Sequence, residues 1–97
     1  MKIELKKPIK IAGQEITELD LVEERLSTKL IKQLGFPFIL GPDLAPIPRS
    51  AICADYISRL AAISPSEVEK LGPQDFMTIT WALISFFVEQ EGSTSQG

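Results

Sequence analysis

Hydrophobic and polar residues alternate at the start of the chain. Ile3, Leu5, Ile9 and Ile11 are separated by Lys2, Glu4, Lys6, Pro8 and Lys10, which is the period of two of a half-buried strand. Lys7 interrupts the apolar face and Pro8 removes a backbone donor, so the pattern predicts an edge strand or a bulged one. Ala12-Gly13-Gln14-Glu15 supplies a turn, with a glycine free to take positive φ. Ile16, Leu19 and Leu21 mark a second strand, and the step from Ile16 to Leu19 breaks the alternation and predicts a slip or bulge. Residues 2–22 therefore read as a β-hairpin. Such a unit is marginal alone in water, so one face must rest on helices.

Beyond the hairpin the spacing becomes helical. Leu26, Leu30, Ile31 and Leu34 share one side of a segment over 24–34, with Lys29, Lys32 and Gln33 on the other. Glu23, Glu24 and Ser27 all suit its first turn, and Gly35 followed by Pro37 ends it. A second helix over 50–63 has Ser50 placed to cap it, with Ile52, Cys53, Tyr56, Leu60 and Ile63 inward. Ser64-Pro65-Ser66-Glu67 is a capping box with proline at the first helical position. It opens a short helix over 65–71, with Val68 and Leu71 inward and a stop at Gly72. Pro73 restarts the chain into a helix over 73–90, where Asp75 suits the positive end of the dipole. The fold class is α+β: an N-terminal β-hairpin followed by a small bundle of about four helices. One domain is expected over 1–91, with residues 92–97 a flexible polar tail.

Two stretches carry more apolar surface than such a domain needs. Between Asp75 and Glu89 lie thirteen residues without a charge. On a helix, Phe76, Ile79, Leu83, Phe86 and Phe87 cluster on one side, and Met77, Trp81, Ile84 and Val88 continue the apolar surface round it. Thr78, Ala82 and Ser85 remain for the opposite side. The run is shorter than the roughly 20 apolar residues of a membrane span. Either the domain wraps this helix or part of it meets another protein, and a small chain buries a helix all round only with difficulty. The second stretch, Phe36 to Arg49, holds four of the seven prolines, which excludes a helix or a central strand. It also carries Phe36, Phe38, Ile39, Leu40, Leu44 and Ile47. It reads as a hydrophobic proline-rich loop over 36–49, either packed on the core or serving as an arm that docks on a neighbour.

Charge and composition narrow the function classes. The net charge is −3, with Lys2, Lys6, Lys7 and Lys10 gathered at the start. Lysines on an edge hairpin discourage edge-to-edge pairing, and an acidic chain lacks the basic footprint of a nucleic-acid binder. A single cysteine, Cys53, cannot form an internal disulfide, which points to a reducing compartment. The first residues lack the apolar core of a signal peptide. With no histidine, the usual base of a hydrolase triad and the Cys/His zinc sites are missing. Gly35, Gly41 and Gly72 are isolated and form no phosphate loop. The Glu23–Glu24 and Glu67–Glu69 pairs lie at helix starts, where acids serve the dipole. No enzyme, cofactor site or metal site is expected.

In order along the chain, Lys7-Pro8-Ile9, Gly13, Glu18-Leu19-Asp20-Leu21, Leu60-Ala61-Ala62-Ile63, the proline-glutamate cap, and the Leu71, Asp75, Phe76 step into a hydrophobic last helix form a pattern. It resembles the tail assembly chaperones of Mu-like and related contractile-tailed phages, the E/41/14 group. The likeness covers both ends, roughly two thirds of the chain, and it is the order of the motifs that carries it. The chain departs from the family in having Glu23-Glu24-Arg25 where Glu-Pro-Thr is common, and in a middle segment richer in proline and hydrophobic residues.

The resemblance implies a small non-enzymatic chaperone of phage or prophage origin in the bacterial host cytoplasm. Its expected partners are the tape-measure protein, the tail-tube protein and further copies of itself, with no nucleic acid and no membrane. In such families a frameshifted longer form often recruits the tube protein. From the residues themselves, the expected partner-binding set is Phe38, Ile39 and Leu40 in the loop with Met77, Trp81 and Ile84 on the last helix. The competing reading is a small homo-oligomeric structural or regulatory protein, antitoxin-like or transcription-linked, that dimerises through its last helix.

Overall fold

A computed structural model describes residues 1–96 of the chain, with side chains through Val88. The order of elements is an antiparallel hairpin, β1 (Lys2–Ile11) and β2 (Gln14–Asp20), a 3-10 turn (Glu23–Arg25) and helix α1 (Thr28–Leu34). A second small hairpin follows, β3 (Phe38–Leu40) and β4 (Pro46–Pro48). Helices α2 (Ser50–Ala61), α3 (Pro65–Val68) and α4 (Pro73–Gln96) complete the chain. The α+β architecture expected from the spacing is present.

The first hairpin turns through Ala12 and Gly13, both at positive φ (52° and 80°). Ile11 pairs with Gln14, which makes this a two-residue connection of the kind whose twist suits the flanking strands. Glycine takes that backbone freely, whereas alanine is strained in it. Replacing Ala12 with asparagine should therefore stabilise the protein by roughly 0.5–1 kcal/mol. The check is a higher urea midpoint with an unchanged slope.

The expected irregularity is real and lies in β1. Glu4 pairs with Glu18 and Ile9 with Ile16, so five steps on β1 answer two on β2. The residues that bulge out, Leu5 to Pro8, are the ones where Lys7 and Pro8 break the pattern. The bulge also resolves the odd spacing of β2, because it lets Ile9 meet Ile16 on one side of the break and Ile3 meet Leu19 on the other.

The core lies between this hairpin and two helices. Ile3, Leu5, Ile9, Leu19 and Leu21 pack with Cys53, Tyr56, Ile57 and Leu60 of α2 and with Ile79, Leu83 and Phe86 of α4. Ile57, not assigned inward from the spacing, is fully buried, while Ile52 and Ile63 are half-buried. Val22 N–H and the Arg25 guanidinium both donate to the Leu60 carbonyl, at 3.1 and 3.0 Å, and fix the entry to α1 at the end of α2.

Several boundaries differ from those expected. The first α-helix begins at Thr28, not 24. Ser27 is extended, and its hydroxyl accepts from Leu30 N–H at 3.2 Å, so the serine closes the helix start that the glutamates appeared equally fit to make. In α2, Arg49 occupies the cap position with no side-chain hydrogen bond, and Ser50 is already helical. That helix stops at Ala61 because Ala62 turns left-handed (φ 57°). The capping box forms as read: Ser64 accepts from Glu67 N–H at 3.2 Å and Glu67 accepts from Ser64 N–H at 2.8 Å. Helix α3 is shorter than 65–71. The last helix continues past residue 90 to Gln96; Gly92 weakens a helix by about 1 kcal/mol but does not end it. The flexible tail expected over 92–97 falls where no side chain is described, and Gly97 lies outside the described residues. The largest difference is at 36–49. Its prolines do exclude a helix, yet the segment is a two-stranded hairpin and not an open loop.

Candidate partner-binding surface

The small hairpin stands on an aromatic base. Phe87 of α4 receives three rings edge-on: Phe38 at 5.8 Å, Tyr56 at 5.9 Å and Phe36 at 6.1 Å between centroids. Tilted and edge-to-face pairs of this kind each contribute about 1 kcal/mol beyond the area they bury. Hydrogen bonds lock the same base to α2. Tyr56 Oη donates to the Gly35 carbonyl, Cys53 Sγ donates to the Pro37 carbonyl at 3.2 Å, and Arg49 N–H donates to that same carbonyl at 2.8 Å. Burial raises both the Cys53 and the Tyr56 pKa, so both protons stay in place at neutral pH.

From this base the hairpin projects into solvent. Ile39 and Leu40 are exposed, as are Ile47 and, at the tip, Leu44, the most exposed large hydrophobic residue at 75%. Leu44 also sits at φ 62°, a left-handed conformation that leucine rarely takes. Along α4, Met77 and Trp81 are exposed at 60% and 45%. Of the six residues expected to bind a partner, Ile39, Leu40, Met77 and Trp81 thus lie open to solvent. Phe38 is half-buried, because its ring belongs to the aromatic base.

Ile84 requires a correction. It is 2% exposed and offers no surface. On the helix it lies one turn from Thr80, which is buried, and from Phe87, which holds the aromatic base, so it is on the covered side. Phe36, Leu44, Ile47 and Val88 are further exposed hydrophobics, outside the set expected to bind a partner. For Ile47 a signal existed in Pro46-Ile47-Pro48: flanking prolines favour extended backbone, and extension alternates the faces.

The titratable groups do structural work. Asp75, 3% exposed, accepts from the backbone N–H of Lys6 and of Lys7, both at 2.9 Å. Those amides belong to the β1 bulge, where no strand partner is available. The two hydrogen bonds, from Lys6 first and Lys7 second, hold the Asp75 carboxyl below the usual carboxylate range. A Cβ at Gly72 would meet Lys7 Cδ at 3.1 Å, a contact that a small shift of the exposed lysine side chain relieves. Among the described residues no three Cys, Asp or Glu side chains gather closely enough to hold a metal ion. None of the helices there is long and apolar enough to cross a membrane.

A family model described as phage tail assembly chaperone proteins, E, or 41 or 14, matches residues 2–88. No curated protein and no solved structure matches the chain.

Proposed function

The chain belongs to the family of phage tail assembly chaperone proteins, and on that footing we propose that it is a non-enzymatic chaperone of the tape-measure protein. In this reading it works in the bacterial cytoplasm, keeps the long client soluble, and helps tail-tube subunits assemble around it. The observation that supports the reading is the set of exposed hydrophobics on two elements: Ile39, Leu40 and Leu44 on the small hairpin, and Met77 and Trp81 on α4. Each contact with an apolar client side chain gains roughly 25 cal/mol per Å² removed from water, less the cost of ordering. Single contacts are weak, and many copies along one client add by avidity.

The test is co-expression with the tape-measure protein of the same operon. The wild-type chain should keep that client in the soluble fraction and co-purify with it. A Trp81→Ser, Leu40→Ser double variant, verified as folded by its unfolding midpoint, should lose most of that effect. A client that stays equally soluble with the double variant, or with no chaperone at all, would end this reading.

A further inference from the structure

The two edges of the small β3–β4 sheet are chemically unlike. Phe38 pairs with Pro48, Ile39 with Ile47 and Leu40 with Pro46. At the ends of this ladder, Arg49 N–H donates to Pro37 O and Gly41 N–H donates to Ala45 O. Hydrogen-bonded pairs alternate along an antiparallel ladder, so the Ile39–Ile47 pair is hydrogen-bonded and the Phe38–Pro48 and Leu40–Pro46 pairs are not. It follows that the backbone groups of Pro46 and Pro48 face away from the sheet along the β4 edge. Being prolines they have no N–H, and that edge cannot donate to another strand. On the opposite edge, the N–H and C=O groups of Phe38 and Leu40 face outward. The sheet ends there at β3, and α4 packs on β4. The β3 edge carries no lysine or proline to discourage pairing.

We infer that the open β3 edge pairs with the β3 edge of a second copy of this chain, in an antiparallel four-stranded sheet about a twofold axis. One register pairs all the outward groups of Phe38 and Leu40 in both copies. The outward groups of Phe38 meet those of the second copy's Leu40, and the outward groups of Leu40 meet those of its Phe38. Ile39 then falls opposite the second copy's Ile39, at a position without backbone hydrogen bonds, where side chains lie closest. Ile47 shares the Ile39 face through their own pairing, so the joined sheets carry an unbroken row of isoleucines, Ile47–Ile39 from one copy and Ile39–Ile47 from the other. Both ends of that row are exposed in the single chain. The edge is thus complementary to itself in hydrogen bonding and in side chains. This assignment takes Ile39 out of the client surface and leaves Leu40, Leu44, Met77 and Trp81 for the client; it rests on backbone pairing and not on the client reading.

Three variants test it in the full chain. Two β3 strands in this register place Ile39 Cα about 4.5 Å from its counterpart, inside the range a disulfide spans. Ile39→Cys should therefore form a disulfide-linked dimer rapidly in oxidised glutathione, while Leu44→Cys, more exposed and off the axis, should not; Cys53 is buried and a spectator. Leu40→Pro removes an outward N–H without touching the β3–β4 ladder, and should weaken the dimer about thirtyfold by sedimentation. Leu40→Ser keeps the N–H, and Trp81→Glu lies on α4; both should remain dimeric. The inference is overturned by a wild-type chain that stays monomeric across the concentration series, by equal cross-linking of the two cysteine variants, or by a dimer that Trp81→Glu dissolves. Should Leu40→Pro fail to fold, the cysteine comparison decides alone. A wild-type chain that dimerises in this way but leaves the client no more soluble would count against the client reading only.

Discussion

Replacing Asp75 with alanine should cost about 3 kcal/mol of stability, enough to lower the melting temperature of a domain this size by about 15 °C. The carboxylate is buried and accepts from two backbone amides of the β1 bulge, Lys6 and Lys7, both at 2.9 Å. Hydrogen bonds to a charged acceptor contribute roughly 1.5–3 kcal/mol each. Their loss also leaves two amides without a protein partner where the hairpin rests on α4. Both hydrogen bonds are only part-buried, which keeps the expected loss nearer one strong bond than two. The carboxylate further favours the N-terminus of α4, an effect of about 0.5 kcal/mol.

The same contact gives a pH dependence of definite sign. The folded pKa of Asp75 lies below its ordinary value, so the ionised group stabilises the fold at every pH above the ordinary aspartate range, about 3.9. That contribution declines as the pH falls below that range toward the depressed folded value, and it is lost once the folded protein also binds the proton. Asp75→Asn is the informative comparison. It keeps one acceptor oxygen, removes the charge, and turns a donor toward the second amide. Its stability should be lower than wild type at pH 7, and the gap should narrow between pH 4 and the acid limit. Urea unfolding at a series of pH values reads this directly. An unchanged gap down to the acid limit would mean that the carboxylate does not hold the bulge.

Asp75 also marks where reading the sequence stops. Its place in the first turn of α4 was legible, because proline and an acid before an apolar run announce a helix start. Its partners were not: they are main-chain amides on the other side of the fold, and no residue type advertises a free N–H. The bulge itself was legible from Lys7 and Pro8, but nothing in the spacing says what satisfies it. Local signals held elsewhere. The Ser64–Glu67 box and the Gly13 turn formed as read because their partners lie within a few residues. The start of α1 was ambiguous for the opposite reason: Glu23, Glu24 and Ser27 are each adequate, and the serine contact with Leu30 N–H selects among them. At 36–49 the prolines alone predict a break in regular structure. Pro46 and Pro48 instead occupy positions whose amides would face away from the sheet, so a short strand accommodates them.

Ile84→Ser and Trp81→Ser, one helical turn apart on α4, should give opposite results. Both residues belong to the same uncharged stretch and looked equivalent from the sequence. Ile84 is 2% exposed and Trp81 is 45% exposed. Shortening a buried isoleucine costs about 2–5 kcal/mol from lost contacts and the cavity left behind. Burying the new hydroxyl adds about 1–3 kcal/mol unless a partner is found. The new hydroxyl could turn back to a helix carbonyl as Ser85 does to Ala82, which would recover only about 1 kcal/mol of that loss. Ile84→Ser should therefore cost about 4 kcal/mol, a large share of the stability of a small domain, and should show as a much lower urea midpoint. Trp81→Ser removes a ring that is nearly half in water and should cost less, about 1–2 kcal/mol. On a client-solubility assay the order reverses for folded protein: Trp81→Ser should lose function while the fold stands. If the two variants instead lose stability equally, the exposed face of α4 is part of the core, and the surface proposed to hold the client has to be sought on the small hairpin alone.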